Sequence, residues 1–198
     1  MTSGVRRREA LDSVCANIQD KSMLNHMLAT EAIMRAVARK LGEDEEEWGV
    51  TGLLHDIDSE LVEGDMSSHS VLGADIAREL GASEAMVHAI LCHNEAHGVP
   101  MQTDLDKALF CVDPLSGLII ATALVRPERL DGMTARSVLK KYNEKSFAAS
   151  VNREQIARCR DIGLELEEFV RLGVEAMKGV AATLGLNRPA LPANGSGP

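Results

Sequence analysis

Apolar side chains recur at helical spacing along nearly the whole chain. Leu11, Val14, Cys15 and Ile18 fall at i, i+3, i+4 and i+7, and Leu24, Met27, Leu28, Met34, Val37 and Leu41 carry a second such stripe to Gly42. Gly42 stands where helices commonly close with a left-handed residue. Asp44-x-x-Glu47 has the form of a capping box ahead of Trp48, Leu53, Leu54 and Ile57. Ser67 or Ser68 can cap a fourth helix ending at Gly81, and Ser83 a fifth ending near Gly98. Thr103 opens a sixth, which Pro114 is expected to kink or break, because proline removes a backbone donor. Beyond Pro127 the pattern predicts a short helix over Thr134–Tyr142, a segment capped by Asn152-x-x-Gln155 reaching about Ile162, and an amphipathic helix from Leu164 to Leu184 stopped by Gly185. No alternating run demands a strand, and no internal repeat is visible. The expected fold is all-α: a core over residues 20–126, a helical extension over 127–186 packed on it within the same domain, and a disordered tail over 187–198.

Composition narrows the reading. The chain has 198 residues, 45% hydrophobic and 26% charged, which suits one globular domain and excludes wholesale disorder. Its 21 basic and 30 acidic side chains leave a formal charge of -9, which disfavours a nucleic-acid polymer or an anionic membrane as partner. The longest apolar run, Gly117 to Val125, falls short of the ~20 residues that span a bilayer. No signal-like apolar stretch follows Arg6, Arg7 and Arg8. Four cysteines without a C-x-x-C pair fit reduced thiols, so a cytoplasmic protein is expected. The acidic run Glu43 to Glu47 reads as a solvated first helical turn. With one Trp and one Tyr, a base-stacking platform is not expected.

The chemistry lies in polar residues that interrupt the apolar stripes: His26, the doublet His55-Asp56, His69, His93 and Asp113. A buried carboxylate is costly without a partner, so Asp56 and Asp113 each need a cation or donors. Imidazole and carboxylate together are the usual ligand set for Zn, Mn and Fe. Singly, each residue has an ordinary explanation. A histidine is more often a hydrogen-bonded core residue than a ligand, Asp56 could cap a turn, and Asp113 could cap a helix begun by Pro114. Jointly, the order H…HD…H…H…D on separate helices is improbable by accident.

On these residues the sequence resembles the HD superfamily of metal-dependent phosphohydrolases. His26, His55-Asp56 within Leu53-Leu54-His55-Asp56-Ile57-Asp58, and Asp113 reproduce its H…HD…D signature. Ser68-His69, Gly73-Ala74-Asp75, Arg78-Glu79-Leu80-Gly81 and His93 are similar to the branch with two extra histidines and a dinuclear centre. The resemblance covers about residues 20–126 and implies an HD-domain helical bundle. It implies a first metal held by His26, His55, Asp56 and Asp113, and a second held by His69 and His93 with Asp56 bridging. Asp56 would then be the catalytic carboxylate that positions a nucleophilic water. One or two divalent transition metals are implied, Fe, Mn or Zn, with Mg and Ni admissible.

The implied activity is hydrolysis of a phosphoester or phosphoanhydride in a small, nucleotide-like phosphorylated substrate. Its rivals are a di-iron oxygenase using the same ligands and a catalytically silent HD sensor or scaffold. Two positions depart from the family pattern. Asn94 stands where some relatives carry a second consecutive histidine, which argues against a third metal; Asp58 replaces a frequent glycine and is read as a turn cap in preference to a ligand orienter.

Lys107 could meet substrate phosphate as a point charge, or be an ion-paired surface lysine; Arg126 has the same status. His97, four residues after His93 on the same predicted helical face, could support a ligand, contact substrate or stand exposed, and the surface is the favoured reading. His88, about 140° around the helix from His93, is not expected to be a ligand. Cys92 and Cys111 read as small buried hydrophobes. The apolar C-terminal helix is a candidate interface for a homo-oligomer.

Overall fold

A computed structural model describes residues 4–188, in which nine α-helices and two short 3-10 turns are joined by loops, with no strand among the described residues. Of the expected tail, all but Asn187 and Arg188 lies outside the described residues. Helix α1 spans Arg7–Asn17, α2 Lys21–Leu41 and α3 Glu45–Leu54. The Asp20 side chain accepts the amides of Ser22 and Met23 to start α2, and Gly42 ends it at φ 80°. Asp44 accepts the amides of Glu46 and Glu47 to start α3.

Helices α2 and α3 are the pair that sets the site. They approach closely at Gly52, where a Cβ would come within 2.9 Å of Met34 Cγ and 3.1 Å of the Glu31 backbone nitrogen. Only glycine lets the backbones meet there. Glu31 is buried on α2 and takes Arg7 Nε at 2.6 Å, Arg7 Nη2 at 2.9 Å and Arg35 Nε at 2.9 Å, so two guanidinium groups neutralise one carboxylate and tie α1 to α2.

Residues 55–70 form consecutive turns leading to α4 (Val71–Glu79), α5 (Glu84–Cys92), a 3-10 turn at Glu95–His97 and α6 (Asp104–Leu124). Three sequence expectations are corrected in this stretch. The start of α4 is not capped by Ser67 or Ser68. Ser70 precedes it in a left-handed conformation (φ 66°), and the Asp58 carboxylate accepts the amides of Ser70 at 2.7 Å and Gly73 at 2.9 Å. Helix α5 ends at Cys92 because Asn94 turns extended and caps the 3-10 turn with its own side chain, so His97 does not share a helical face with His93. Pro114 does not break α6, which continues through it; only the bond to the Phe110 carbonyl is forgone.

Helix α6 is long and apolar enough to cross a membrane by length and composition. It is also the central helix of this fold: Leu109, Val112, Leu115, Leu118 and Ile119 are buried, and it packs against α2, α5 and the C-terminal helices. The extension comprises α7 (Ala135–Asn143), α8 (Arg153–Ala157), a 3-10 turn at Arg158–Ile162 and α9 (Leu166–Gly179). Phe169, Val170, Val174 and Met177 of α9 join the same apolar core. Gly173 lets α9 close on α6, where a Cβ would stand 2.9 Å from Ile119 Cδ1. Helix α9 is shorter than the sequence suggests. It ends at Gly179, and the following turns place the Leu184 carbonyl 3.0 Å from Asn25 Nδ2.

Candidate metal centre

Four helices and the turn before α4 bring the six ligand-type residues together. His26 projects from the first turns of α2, His55 and Asp56 follow the end of α3, His69 lies in the turn before α4, His93 caps α5, and Asp113 is mid-α6. The Nε2 atoms of His26 and His55 stand 3.1 Å apart. Asp113 Oδ1 lies 3.1 Å from His26 Nε2 and 3.9 Å from His55 Nε2. Asp56 divides its two oxygens between two pairs of imidazoles. Its Oδ2 faces His26 Nε2 at 3.6 Å and His55 Nε2 at 3.3 Å, and its Oδ1 faces His69 Nε2 at 3.4 Å and His93 Nε2 at 3.3 Å. Each carboxylate oxygen thus faces one pair of imidazoles.

The other ring nitrogen of every histidine is occupied. His55 Nδ1 donates to the Gly52 carbonyl at 2.9 Å, and His93 Nδ1 donates to the Ile90 carbonyl. His69 Nδ1 donates to Asp58 Oδ1 at 2.9 Å. His26 Nδ1 lies 2.8 Å from Ser116 Oγ. Ser116 Oγ gives its single proton to the Asp113 carbonyl at 2.9 Å and accepts Thr30 Oγ1 at 3.1 Å, so His26 must be the donor. In the neutral rings, each Nδ1 then carries the proton and each Nε2 presents a lone pair inward.

With all four rings neutral, four lone pairs and two carboxylates converge. No hydrogen bond or ion pair among the described residues ties a lysine or arginine to the six. The donor set suits a cation, and oriented imidazoles with Nδ1–H held by carbonyl or carboxylate are the arrangement that metal sites use. Borderline divalent ions fit these nitrogen and oxygen donors. His26, His55 and Asp113 form one potential ligand group, and His55, Asp56 and His93 another.

The electrostatics agree. Burial alone would lower His55, but the carboxylates of Asp56 and Asp113 outweigh it and hold the imidazole up to about 9. Burial would raise Asp56, but His55 and His93 hold it well below the usual carboxylate range, and Asp113 is lowered by His26 against its own burial.

The structure assigns work to residues that sequence reasoning underrated. Asp58, read as a cap, does cap α4, and its second oxygen also orients His69; against its own burial, that contact and the two amides keep it below the usual carboxylate range. His97, expected at the surface, contacts the His69 carbonyl at 2.6 Å through Nε2, and Asn94 Nδ2 donates to the carbonyls of Met66 and His69. Together they hold the turn that delivers His69. Lys107 pairs with Asp104 at 2.7 Å in the first turn of α6, about 9 Å along the helix axis from Asp113. Arg126 donates to the carbonyls of Arg129 and Asp131.

Residues 23–118 match the family model described as HD domain. Among curated proteins, the chain is 28% identical over 166 residues to Ribonuclease Y of Oleidesulfovibrio alaskensis, covering 75% of this chain and 32% of that protein. It is 33% identical over 97 residues to Ribonuclease Y of Nitratidesulfovibrio vulgaris, covering 49% and 18%. It is 30% identical over 151 residues to Ribonuclease Y of a Sulfurovum species, covering 76% and 28%. The chain thus spans about a third or less of the length of these relatives. No solved structure gives a significant match.

Proposed function

Because residues 23–118 are an HD domain, we propose that the protein is a metal-dependent phosphohydrolase that cleaves a phosphoester or phosphoanhydride of a small nucleotide-like substrate. The observation that carries this reading is the division of Asp56 between the His26–His55 and His69–His93 pairs. His26, His55, Asp56 and Asp113 would hold one cation, and Asp56, His69 and His93 a second. When bound, such cations polarise a phosphoryl oxygen and acidify a nearby water.

The residues themselves fix everything around that chemistry. The carbonyls of Gly52 and Ile90, the Asp58 carboxylate and Ser116 Oγ lock each imidazole in the tautomer that leaves Nε2 bare. Preset ligands need no reorganisation during reaction. His55 and His93 are buried, so the centre is open mainly along the side of Asp113 and His26. Ser116, whose hydroxyl meets His26 Nδ1, has its proton committed to the Asp113 carbonyl, so the nucleophile in this reading would be a water. With no basic side chain bonded to the six, cations held there would supply the positive charge that draws an anionic phosphate to an otherwise acidic chain.

The curated relatives named Ribonuclease Y favour an RNA phosphodiester as a second reading. The charge of -9 favours a small substrate, since polynucleotide affinity rests on neutralising many phosphates. The test is a panel of nucleoside mono- and polyphosphates, cyclic and linear dinucleotides and single-stranded RNA, assayed after reconstitution with Mn, Fe or Zn. Turnover of small phosphoesters, lost in His55→Ala and Asp113→Ala at unchanged helix content, supports the reading. Cleavage of RNA alone shifts it to the second reading. Oxygen uptake without phosphate release, or full metal loading with no turnover on any substrate, overturns both.

A further inference from the structure

A second cluster of ligand-type residues lies outside that centre. His88 and Cys92 are four residues apart on α5 and so share a face, and Asp106 lies across from them in the first turn of α6. A ring nitrogen, a sulfur and a carboxylate oxygen from these three residues lie within 4.8 Å of one another. Cys92 and Asp106 are buried, and His88 is half-buried.

Capping accounts for only half of Asp106. Its Oδ2 accepts the amides of Gln102 at 2.8 Å and Thr103 at 2.9 Å and faces His88 Nδ1 at 3.0 Å. Its Oδ1 is enclosed and has no hydrogen-bond partner. An orphaned oxygen of a carboxylate with no exposed surface is costly, and an asparagine at this third helical position could accept the same amides without it. Beside the cluster is a cavity of about 350 Å³ lined by Cys92, Glu95, Phe110 and Arg158 among others.

We propose that His88, Cys92 and Asp106 form a separate binding site for a zinc-class divalent cation, joining α5 to the start of α6. The orphaned Asp106 Oδ1 supplies the anionic ligand, and the cavity, which the site reaches only through Cys92, leaves room on that side for a fourth ligand. One imidazole, one thiolate and one carboxylate with an open position is a zinc-type donor set, and the thiolate discriminates against Mg and Mn. Binding releases the Cys92 thiol proton, which now points to the Ala89 carbonyl at 3.6 Å, to solvent. The six-residue centre contains no sulfur, so the two sites have different spectra.

The test is a titration of the chelator-stripped full chain with Co²⁺. A thiolate-to-cobalt charge-transfer band is expected, saturating at one ion per chain. It persists in His55→Ala, disappears in Cys92→Ser, and requires about 10-fold or more Co²⁺ in Asp106→Asn and His88→Ala. Absence of the band in the wild-type chain overturns the proposal. So does a band unchanged in both Asp106→Asn and His88→Ala, which would place the cysteine ligand elsewhere. Should Cys92→Ser fail to fold, the wild-type band and the two other variants decide.

Discussion

Asp58 Oδ1 accepts the Nδ1 proton of His69 at 2.9 Å, while its Oδ2 takes the amides of Ser70 and Gly73. One buried carboxylate thereby starts α4 and aims an imidazole at Asp56. Asparagine cannot do both, because its amide group would face a donor. Asp58→Asn is expected to weaken the metal position of His69 and His93 by about 10–100-fold while leaving the position of His26, His55 and Asp113 loaded. Metal content per chain after dialysis checks this: a fall from two ions to one is expected, and retention of both contradicts it.

That relationship also marks the limit of what the sequence discloses. His26, His55, Asp56 and Asp113 stand out because polar residues in apolar helical stripes need a reason, and the structure brings them together. Asp58 looks like a turn residue because its burial depends on α4 folding over it, a contact across fifteen residues to Gly73. For His97 the supporting role is the less favoured reading of the sequence for a related reason. Periodicity carries α5 to Gly98, but the Asn94 side chain competes for the Ala96 amide and stops the helix, turning His97 onto the His69 carbonyl. Ser116 was silent because a serine on a buried helix has no periodic signature; its spacing of three from Asp113 was the available clue. The cores of α2, α3 and α6 were legible, as their apolar stripes and caps agree.

The metal-free protein should lose stability as pH rises, while the stabilisation conferred by metal grows. His55 is held up to about 9, above its ordinary 6.5. A raised folded-state pKa contributes stability that is complete below about 6.5 and lost as pH rises through about 9. Metal and proton compete for the same Nε2, so metal affinity rises over that interval. Thermal melts with chelator should therefore fall from about pH 6.5 to about pH 9, while the increase in Tm produced by added metal grows. Parallel changes in the two series would contradict the assignment.

Gly52 serves both the packing of α2 on α3 and the His55 tautomer. Gly52→Ala would press a Cβ against Met34 Cγ and the backbone at Thr30 and Glu31. A loss of about 1–3 kcal/mol in unfolding free energy is expected, as for other overpacked interiors, together with weaker metal binding as α2 is displaced from His55. Denaturant unfolding with and without metal measures both.

Thiol reactivity offers a check on burial. Burial pushes Cys92 up to about 12 and Cys159 up to about 11, and raises Cys111 far above the ordinary thiol range, so all three are neutral and enclosed at pH 8. Cys15 is exposed. In chelator, a disulfide reagent should modify one thiol rapidly and three only on unfolding. Two or more fast thiols in the folded protein would contradict this packing.

The central claim is that Asp56 bridges two cations. A crystal of the protein reconstituted with Mn, Fe or Zn, measured at the metal's absorption edge, tests it most directly. Two anomalous peaks about 3.5–4 Å apart on either side of the Asp56 carboxylate are expected, one within bonding distance of His26, His55 and Asp113 and the other of His69 and His93. A saturated crystal with no peak at Asp56, or with a single ion that leaves His69 and His93 uncoordinated, would contradict it.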